Sequence, residues 1–321
     1  MRNRIRKIWK SEDFGFTKAT DNQVNRFLKP GGQFNVVRKG GRFTVKDIYH
    51  WLMNARWGVF WTLAVGVIVM VNLLFSVIYF IIGVDKIEGA GEIGVSWAGD
   101  FATAIFFSFQ TFTTVGYGAL APIGIPSNIV ASLEAVLGLI TFSLVTALIY
   151  AKFSKASVKL LFSDNILVSP HKKGKALMFR MVNERTDSLI NMSVDVLVAE
   201  TKLKDGKFGK KYDMLNLERS NIMFFPLNWT VVHVLDESSP LYETSCNGFK
   251  DSSLEFMIQV KCFDSTYSQD IYIHHSYVSE DIICDAKFEL MYGANEKGVL
   301  EIDLTKLNAY SLVVDSEMTS V

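Results

Sequence analysis

Two long stretches without charged side chains dominate the pattern of apolar and polar positions along this chain. The first covers residues 57–84, where Tyr79 is the only ionisable group. The second covers residues 101–151 and is interrupted by one charge, Glu134. About 20 apolar residues cross a bilayer core of roughly 30 Å, so the first stretch predicts a membrane-spanning helix over residues 58–82. The second stretch is long enough for one crossing and a shorter re-entrant element.

The re-entrant element is predicted at residues 100–113. Asp100 is a residue type that begins helices, and the apolar segment after it is too short to cross a bilayer. Residues 114–118 follow at once and contain two glycines, which permit backbone angles that regular helices and strands do not use. Irregular backbone is tolerated at membrane depth only inside protein or along a cavity. Two prolines then precede a second predicted spanning helix at residues 127–153.

Residues 114–118 read Thr-Val-Gly-Tyr-Gly, a string that resembles the selectivity filter of potassium channels. A potassium ion must lose its water in a narrow pore, and a ring of backbone carbonyls from four chains replaces that water. The C-terminal end of the preceding helix also favours a cation through the helix dipole. The resemblance predicts a filter of five residues and K⁺ held by the backbone carbonyls of the first four of them: Thr114, Val115, Gly116 and Tyr117, with Gly118 completing the filter.

Two further segments precede the first span. Residues 1–45 are basic and punctuated by glycines, which predicts a mostly irregular cytoplasmic tail. Residues 46–57 place apolar side chains at helical spacing beside basic neighbours. This pattern favours an interfacial helix on the membrane surface, and the alternative is an amphipathic helix packed on the protein.

Basic residues set the predicted orientation. They precede the first span and follow the second, whereas the loop between the spans carries acidic residues and the single lysine Lys86. The positive-inside rule therefore puts both termini in the cytoplasm and the filter mouth outside. The basic residues near the cytoplasmic leaflet either report this topology alone or also bind anionic lipid: Arg56, Lys152, Lys155 and Lys159.

Period-two alternation replaces the long apolar runs from about residue 163. Turn-type sequences at residues 204–206 and 295–298 separate the alternating segments. This pattern predicts an antiparallel β-sandwich over residues 154–321. The clearest alternating sets are Val194, Val196 and Val198, then Phe256, Ile258 and Val260, then Leu300, Ile302 and Leu304.

Composition narrows the classes of function. Lys plus Arg and Asp plus Glu balance at 33 each, which gives no general attraction to nucleic acid. No nucleophile motif, metal-ligand spacing or phosphate-binding glycine loop occurs in the sequence, so neither an enzyme nor an organic cofactor is expected. The three cysteines all lie in the half predicted to be cytoplasmic and are expected to be free thiols: Cys246, Cys262 and Cys284.

The block from Trp229 to Tyr242 extends the resemblance to one channel family. It reads Trp-Thr-Val-Val-His-Val-Leu-Asp-Glu-Ser-Ser-Pro-Leu-Tyr and is similar to a run in the cytoplasmic domain of inward-rectifier potassium channels. Residues 47–57 are similar to the slide helix of that family, especially of its prokaryotic (KirBac-type) members. With the filter, three separated segments agree over about residues 35–305.

The family resemblance implies a membrane α plus all-β fold. Two transmembrane helices with a re-entrant pore helix and filter would be followed by a cytoplasmic, immunoglobulin-like β-sandwich with a regulatory role. The family also implies a homotetramer that conducts K⁺ passively, is gated where the second helices cross, and contacts anionic membrane lipids. No nucleic-acid partner is implied.

Four positions of the second span are predicted as gate or pore lining. The resemblance places Gly138 at a mid-helix hinge, Phe142 where strong rectifiers carry a pore-lining Asp, and Tyr150 at the bundle-crossing gate. Glu134 is an intramembrane carboxyl group and a functional candidate by default. It either faces the cavity or is hydrogen-bonded behind the filter, and the sequence does not choose.

The chain also departs from the family pattern. Gln110 and Leu120 stand where inward rectifiers often pair a pore-helix Glu with an Arg, so filter support must rest on other hydrogen bonds. External cysteines flanking the pore are missing, which favours a prokaryotic source and a bacterial inner membrane. A second hypothesis is a membrane-anchored β-sandwich that binds a cytosolic ligand or partner and has a non-conducting pore.

Overall fold

The computed structural model describes residues 19–20, 26–29, 31–37, 39–40, 44–91, 96–155, 158–172, 174–185, 189–204, 207–225, 227–242 and 244–313. These residues belong to two compact units. The helical unit covers the described residues from 40 to 155. The β-rich unit combines those from 158 onward with the described residues up to Lys39. Each unit is described by itself.

In the residues that the structure describes, four α-helices build the helical unit and one short α-helix lies in the β-rich unit. The pattern of long apolar runs is confirmed, because the second and fourth helices are long and apolar enough to cross a membrane, with mean hydropathies of 2.7 and 2.0. The helices are α1 (Val45–Asn54), α2 (Trp57–Ile82), α3 (Trp97–Phe112), α4 (Gly124–Phe153) and α5 (Cys246–Asp251).

Helix α1 is shorter than the predicted interfacial segment. It begins at a capping box, in which the backbone N–H and hydroxyl of Thr44 both donate to the Asp47 carboxylate, at 2.6 and 2.7 Å. It ends at Asn54 because Ala55 and Arg56 are extended, with ψ near 150° (150° and 149°). The predicted single segment 46–57 is therefore a helix followed by a two-residue corner into α2.

Two other helices begin three residues before their predicted starts. Helix α3 starts after Ser96, and Asp100 lies in its first turn, so the prediction that Asp100 caps the helix is wrong. A carboxylate in the first turn still interacts favourably with the helix dipole. Helix α4 includes Pro126 in its first turn, where a missing N–H costs nothing.

Helix α3 packs between the two spanning helices. Phe107 and Ala104 of α3 lie in one buried cluster with Phe75 and Tyr79 of α2 and with residues of the loop that follows α2. A ring-to-ring contact of 4.8 Å links Tyr79 and Phe107 edge to face. Helix α3 is therefore held against the C-terminal half of α2 and the N-terminal half of α4, which fixes the position of residues 113–120.

Seventeen short strands lie in the described chain. Apart from one parallel pair, β5 with β13, all pairings are antiparallel. The strands are β1 (Ala19–Thr20), β2 (Ile87–Glu88), β3 (Ala121–Pro122), β4 (Leu160–Phe162), β5 (Ile166–His171), β6 (Gly174–Asn183), β7 (Leu189–Lys204), β8 (Lys207–Met214), β9 (Asn221–Phe224), β10 (Asn228–Val234), β11 (Ser253–Asp264), β12 (Gln269–Val278), β13 (Ile282–Cys284), β14 (Ala286–Phe288), β15 (Tyr292–Ala294), β16 (Leu300–Ile302) and β17 (Tyr310–Leu312).

Two sheets form the predicted sandwich. The first has the order β1-β8-β7-β11-β12 with β9 also on β7, and the second has the order β10-β6-β5-β13 with β4 also on β6. The first two alternating sets, on β7 and β11, point into the core between the sheets, as the period-two pattern predicts. The third set is only partly confirmed. Leu300 is exposed in β16, Leu304 lies beyond the strand, and Ile302 packs on a separate small cluster.

One of the two predicted turns lies within the described residues and is confirmed. Residues 295–298 form the tight turn between β15 and β16, in which Gly298 donates its N–H to the Asn295 carbonyl at 2.9 Å and adopts a φ of 73°. The other predicted turn, 204–206, lies mostly outside the described residues.

Part of the predicted N-terminal tail is built into the β-rich unit. Leu28 is buried against Ala199, Tyr212 and Met257. The backbone N–H groups of Phe27 and Leu28 donate to the Glu255 carboxylate at 2.6 and 2.9 Å. Residues 26–29 belong to no helix or strand, which agrees with the prediction of a mostly irregular tail, but a buried acid on β11 fixes their backbone.

The expectation of free thiols is also wrong for two of the three cysteines. Cys246 on α5 and Cys284 on β13 form a disulfide, with their Cα atoms 6.0 Å apart. Cys262 is a buried free thiol in the sandwich core. The two bonded cysteines are far apart in sequence, so their pairing depends on the packing of α5 against β13.

Candidate functional site

The segment after α3 has an alternating backbone. Thr114, Gly116 and Gly118 have positive φ angles of 58°, 52° and 79°, whereas Val115 and Tyr117 between them do not. A strand keeps φ negative throughout, and its successive carbonyls point to opposite sides. Alternation of sign removes that reversal and allows successive carbonyls to face one side. Positive φ is costly for a β-branched residue such as Thr114, so the surroundings must hold it.

The amide groups of this segment are tied to the end of α3. The N–H groups of Val115 and Gly116 both donate to the Gln110 carbonyl, at 3.0 and 3.3 Å, and the N–H of Thr114 donates to Thr111 at 3.1 Å. Within the described chain, no carbonyl of residues 114–118 accepts a hydrogen bond. The first three N–H groups of the segment therefore donate to the end of α3, and the carbonyls of the segment are left available.

Gln110 also contacts the far end of the segment. Its side-chain Nε2 donates to the Leu120 carbonyl at 2.8 Å. Positions 110 and 120, which lack the Glu–Arg pair that inward rectifiers often carry, are thus joined by a neutral hydrogen bond. The sequence predicts that other hydrogen bonds support the filter, but it does not identify this one. The same residue holds the start of the segment through its main chain and the exit through its side chain.

Glu134 lies behind the segment rather than on an open surface. It is fully buried, and its carboxyl oxygens accept hydrogen bonds from the Tyr79 hydroxyl at 2.6 Å and the Ser108 hydroxyl at 2.5 Å. The Ser108 hydroxyl is also 3.0 Å from the Asn72 carbonyl. Of the two positions that the sequence leaves open for Glu134, the described chain has the buried, hydrogen-bonded one, because both oxygens join α4 to α2 and α3. This corrects its grouping with the pore-lining residues.

Gly138 is likewise buried on the side that faces α3. A Cβ at this position would lie 2.0 Å from the Phe112 carbonyl oxygen, so only glycine permits this approach of α4 to the end of α3. Gly138 does not line an open surface in the described chain, which corrects its grouping with the pore-lining residues. Its role as a hinge stays a prediction.

Phe142 and Tyr150 are the two proposed gate residues that face outward. Their side chains are 70% and 74% exposed in the single chain. They are separated by eight positions (142 to 150), which at 3.6 residues per turn puts them about 80° apart around the helix. The two rings therefore share one broad face of α4.

Lys152 lies at the end of α4, against the corner between α1 and α2. Its ammonium group is 2.5 Å from the Ala55 carbonyl oxygen and 3.3 and 3.4 Å from those of Leu52 and Met53. It also lies over the Trp57 ring, 5.2 Å from the centroid. A cation at the last carbonyls of a helix is favoured by the helix dipole. Lys152 is thus engaged by protein groups, which the basic pattern of the sequence did not indicate.

The remaining predicted lipid ligands differ in their surroundings. Lys155 donates to the Asn54 side chain at 2.6 Å. Lys159, in the β-rich unit, forms an ion pair with Glu184 at 2.7 Å. Arg56 is exposed at the start of α2. Among the described residues, Arg56 is the member of the set whose side chain has no hydrogen bond or ion pair to another residue.

Some residues of the site were not indicated by sequence. Tyr79, Ser108 and Asn72 are polar positions within apolar stretches, and polar groups buried in a membrane are paired as a rule. That rule marks them as candidates for partners of Glu134, but their helical phases relative to each other depend on packing. The amide of Gln110 carries no sequence signal for its acceptor, which is a backbone carbonyl.

The fold and this site together define a two-span ion channel with a re-entrant filter. Comparison with known proteins agrees: a family model described as "Ion channel" matches residues 66–155, and one described as "Inward rectifier potassium channel C-terminal domain" matches residues 160–321. The chain belongs to the inward-rectifier potassium channel family. Members of this family are ion channels and not enzymes, they are integral membrane proteins, and they are tetrameric in general.

Individual relatives span nearly the whole chain. The inward rectifier potassium channel Kirbac3.1 of Paramagnetospirillum magnetotacticum is 32% identical over 286 residues, which is 88% of this chain and 95% of that protein. The human ATP-sensitive inward rectifier potassium channel 8 is 23% identical, over 88% of this chain and 72% of that protein. The human inward rectifier potassium channel 18 is 24% identical, over 87% and 69%.

Proposed function

We propose that this chain forms a homotetrameric channel that conducts K⁺ passively and selectively. The observation that carries the proposal is the backbone of residues 114–118. Its φ angles alternate in sign, its first three amides donate to the end of α3, and within the described chain its carbonyls accept no hydrogen bond. Four such segments around one axis would supply rings of oxygens from Thr114, Val115, Gly116 and Tyr117 to a dehydrated ion. K⁺ is the transported ion, and the proposal requires neither an organic cofactor nor nucleic acid.

Exposure in the single chain supports the tetramer. Tyr117 is 81% exposed and Val115 51%, which is unusual for apolar groups next to a tightly bonded backbone. Only 11% of the most apolar part of α4 is buried within the chain. The exposed faces of this helix must therefore contact lipid or other copies of the chain. Large exposed apolar surfaces of this kind mark protein or membrane contacts. Four copies around the filter would cover the exposed groups of Val115 and Tyr117. The exposed faces of α4 would be divided among the pore axis, neighbouring copies and lipid.

The gate is proposed at Tyr150, with Phe142 as a second ring toward the filter. Both side chains are free to face an axis at the cytoplasmic half of α4. Four aromatic side chains at one level close a pore by excluding water. Phe142 carries no charge, so block by polyamines or magnesium at this position is expected to be weak.

Anionic lipid is proposed to act mainly at Arg56. A basic side chain near the surface of an anionic leaflet gains about 1 kcal/mol. Lys152, Lys155 and Lys159 have protein partners, so lipid binding there would have to displace those contacts. We place the channel in a bacterial inner membrane because it lacks the external cysteines that flank the pore in eukaryotic members. We place both termini in the cytoplasm on the distribution of basic residues.

Rubidium uptake into vesicles that contain the purified chain tests the function. We expect uptake that added K⁺ inhibits and added Na⁺ does not, and we expect the Gly116→Ala variant to lose it, because alanine is strained at a φ of 52°. The Gly66→Ala variant is the control, since a Cβ at Gly66 has no neighbour within 4 Å and its φ is not positive.

The opposite result would favour the alternative function. An intact tetramer that takes up no rubidium under any lipid composition would indicate a non-conducting pore with a ligand-binding β-sandwich. Equal uptake of sodium and rubidium would overturn selectivity while leaving a channel.

A further inference from the structure

Gln110 makes two independent contacts with the filter region. It lies in the last turn of α3, is 8% exposed, and uses its main-chain carbonyl to accept from Val115 and Gly116. Its side-chain amide reaches past the filter to the Leu120 carbonyl at 2.8 Å. One residue therefore closes the loop from 113 to 120 at both ends.

The exit side of this loop is itself held from outside. Strand β3 follows Leu120 directly and pairs with β2 in the loop after α2. The Ile123 N–H donates to the Lys86 carbonyl at 2.8 Å. At Gly89 a Cβ would lie 1.8 Å from the Ala119 carbonyl oxygen, so this loop presses closely on the exit. The Gln110 bond thus connects the pore helix to a backbone that is already fixed on its other side.

The chemistry at position 110 is specific. The acceptor is a carbonyl oxygen, so the side chain must supply a hydrogen, and the NH₂ end of the amide must face it. An ionised carboxylate has no hydrogen to donate and would place its charge against the carbonyl dipole. A leucine fills a similar volume and leaves the carbonyl unpaired, which is costly in a buried site.

We propose that Gln110 is a positioning residue for the filter, and that the position requires a neutral hydrogen-bond donor. The amide fixes the spacing between the end of α3 and Leu120, and that spacing sets the separation of the carbonyls between them. The inference rests on the proposed K⁺ conduction and adds the residue that keeps the filter at the width of a dehydrated K⁺ ion.

The variant Gln110→Glu distinguishes a hydrogen-bond donor from a side chain that only fills space. A protonated carboxylic acid has one O–H donor, whereas the ionised form has none. Burial favours the protonated form, so acidification should restore the donor in this variant. Gln110→Leu has no donor at any pH and is the partner control. Gln259→Glu, on β11, makes the same amide-to-acid change where the side chain contacts His274.

Two measurements are made on full-length protein at about pH 8 and about pH 5. One is the rise in melting temperature when Na⁺ is replaced by K⁺, which reports K⁺ bound to the folded state. The other is the ratio of rubidium to sodium uptake into vesicles. The titratable groups packed around α3, Glu134 and Tyr79, and Tyr117 of the filter are present in every variant, so each value is compared with the wild type at the same pH.

We expect Gln110→Glu to lose the K⁺-dependent rise and about ten-fold in uptake ratio at the higher pH, and to regain both on acidification. Gln110→Leu should be impaired at both pH values, and Gln259→Glu at neither. The proposal is overturned if Gln110→Leu keeps the wild-type ratio, or if Gln110→Glu is impaired to the same extent at both pH values.

The two readouts separate this inference from the proposed function. If the wild type takes up no rubidium but melts at a higher temperature in K⁺, conduction is refuted and the melting data still test Gln110. If the wild type responds to K⁺ in neither measurement, the filter holds no K⁺ and both proposals fail.

Discussion

The ammonium group of Lys152 lies 2.5 Å from the carbonyl oxygen of Ala55, and this contact joins the end of α4 to the corner between α1 and α2. Tyr150, the proposed gate residue, is two positions earlier on the same helix. Movement of this end of α4 would therefore move the corner between α1 and α2. Lys152 is predicted from the sequence as a lipid ligand, but its contacts in the structure connect α4 to the end of α1.

The first prediction concerns this tie. Lys152→Met keeps the aliphatic stem and removes the charge, so the carbonyls at the end of α1 lose their partner. Charge-assisted hydrogen bonds contribute about 1.5–3 kcal/mol, so amide hydrogen exchange in residues 45–56 should accelerate by at least about ten-fold.

Lys155→Met is the matched control, because Lys155 makes one exposed hydrogen bond to Asn54. We expect it to change exchange little. Equal exchange in wild type and Lys152→Met, together with loss of anionic-lipid binding, would restore Lys152 to the role of lipid ligand.

The second prediction concerns the buried carboxyl group behind the filter. Glu134→Ala leaves the hydroxyls of Tyr79 and Ser108 without their acceptor and should destabilise the folded tetramer by about 2–4 kcal/mol. Tyr79→Phe removes one of the two bonds and should cost about 1–3 kcal/mol. Denaturant unfolding in detergent measures both.

Ser143→Ala tests whether any lost hydroxyl in α4 has this effect. The Ser143 hydroxyl donates to the Leu139 carbonyl of its own helix and is exposed, so its loss should change stability by less than about 0.5 kcal/mol. If Glu134→Ala is as stable as Ser143→Ala, the carboxyl group does not join the helices.

The third prediction is a pH dependence that originates at His233. Its Nδ1–H donates to the Asn216 carbonyl and its Nε2 accepts from the Ser239 hydroxyl, each at 2.8 Å, and burial lowers the pKa of the ring. The folded state therefore holds a neutral ring while the unfolded chain protonates near pH 6.5. Stability is fully present above that pH and is lost as the pH falls below it, by at most about 1.4 kcal/mol per pH unit.

Thermal unfolding of the β-rich unit within the full-length protein, measured between about pH 5 and about pH 8, checks this slope. His233→Gln should be less stable than the wild type at the higher pH and should have a smaller slope in the acidic range. A slope that is unchanged in His233→Gln would assign the dependence to other groups.

The fourth prediction concerns the cysteines. The three thiols should divide into one disulfide and one buried thiol, Cys262, whose pKa burial raises to about 11. Labelling in denaturant without reductant should modify one thiol per chain, and all three after reduction. Closing a loop of this sequence separation, 38 residues, stabilises the folded state by up to about 4 kcal/mol, so reduction should lower the melting temperature. Three reactive thiols before reduction would contradict the pairing.

Sequence alone was sufficient for the elements with a strong local signal. The two spans, the re-entrant helix and the sandwich core follow from charge-free length and period-two alternation, because the solvent on each side dictates those patterns. The starts of α3 and α4 were each missed by three residues, since Ser96 and Pro126 fit a helix start as well as the residues chosen. Local preference does not separate neighbouring candidates of that kind.

The contacts that define the site needed three dimensions. Glu134 was identified as functional from its charge, but its partners Tyr79 and Ser108 come from two other helices. Lys152 and Gln110 bond to backbone carbonyls, which every residue carries and no sequence pattern reveals. The disulfide joins two segments that become neighbours only when the sandwich closes.

The central claim is that residues 114–118 form a K⁺-selective filter. The reversal potential of the purified channel in a planar bilayer, with K⁺ on one side and Na⁺ on the other, tests it most directly. We predict a strongly displaced potential that corresponds to at least about 100-fold preference for K⁺, or about 2.7 kcal/mol between the two ions. A reversal potential near zero from channels that open would contradict the account.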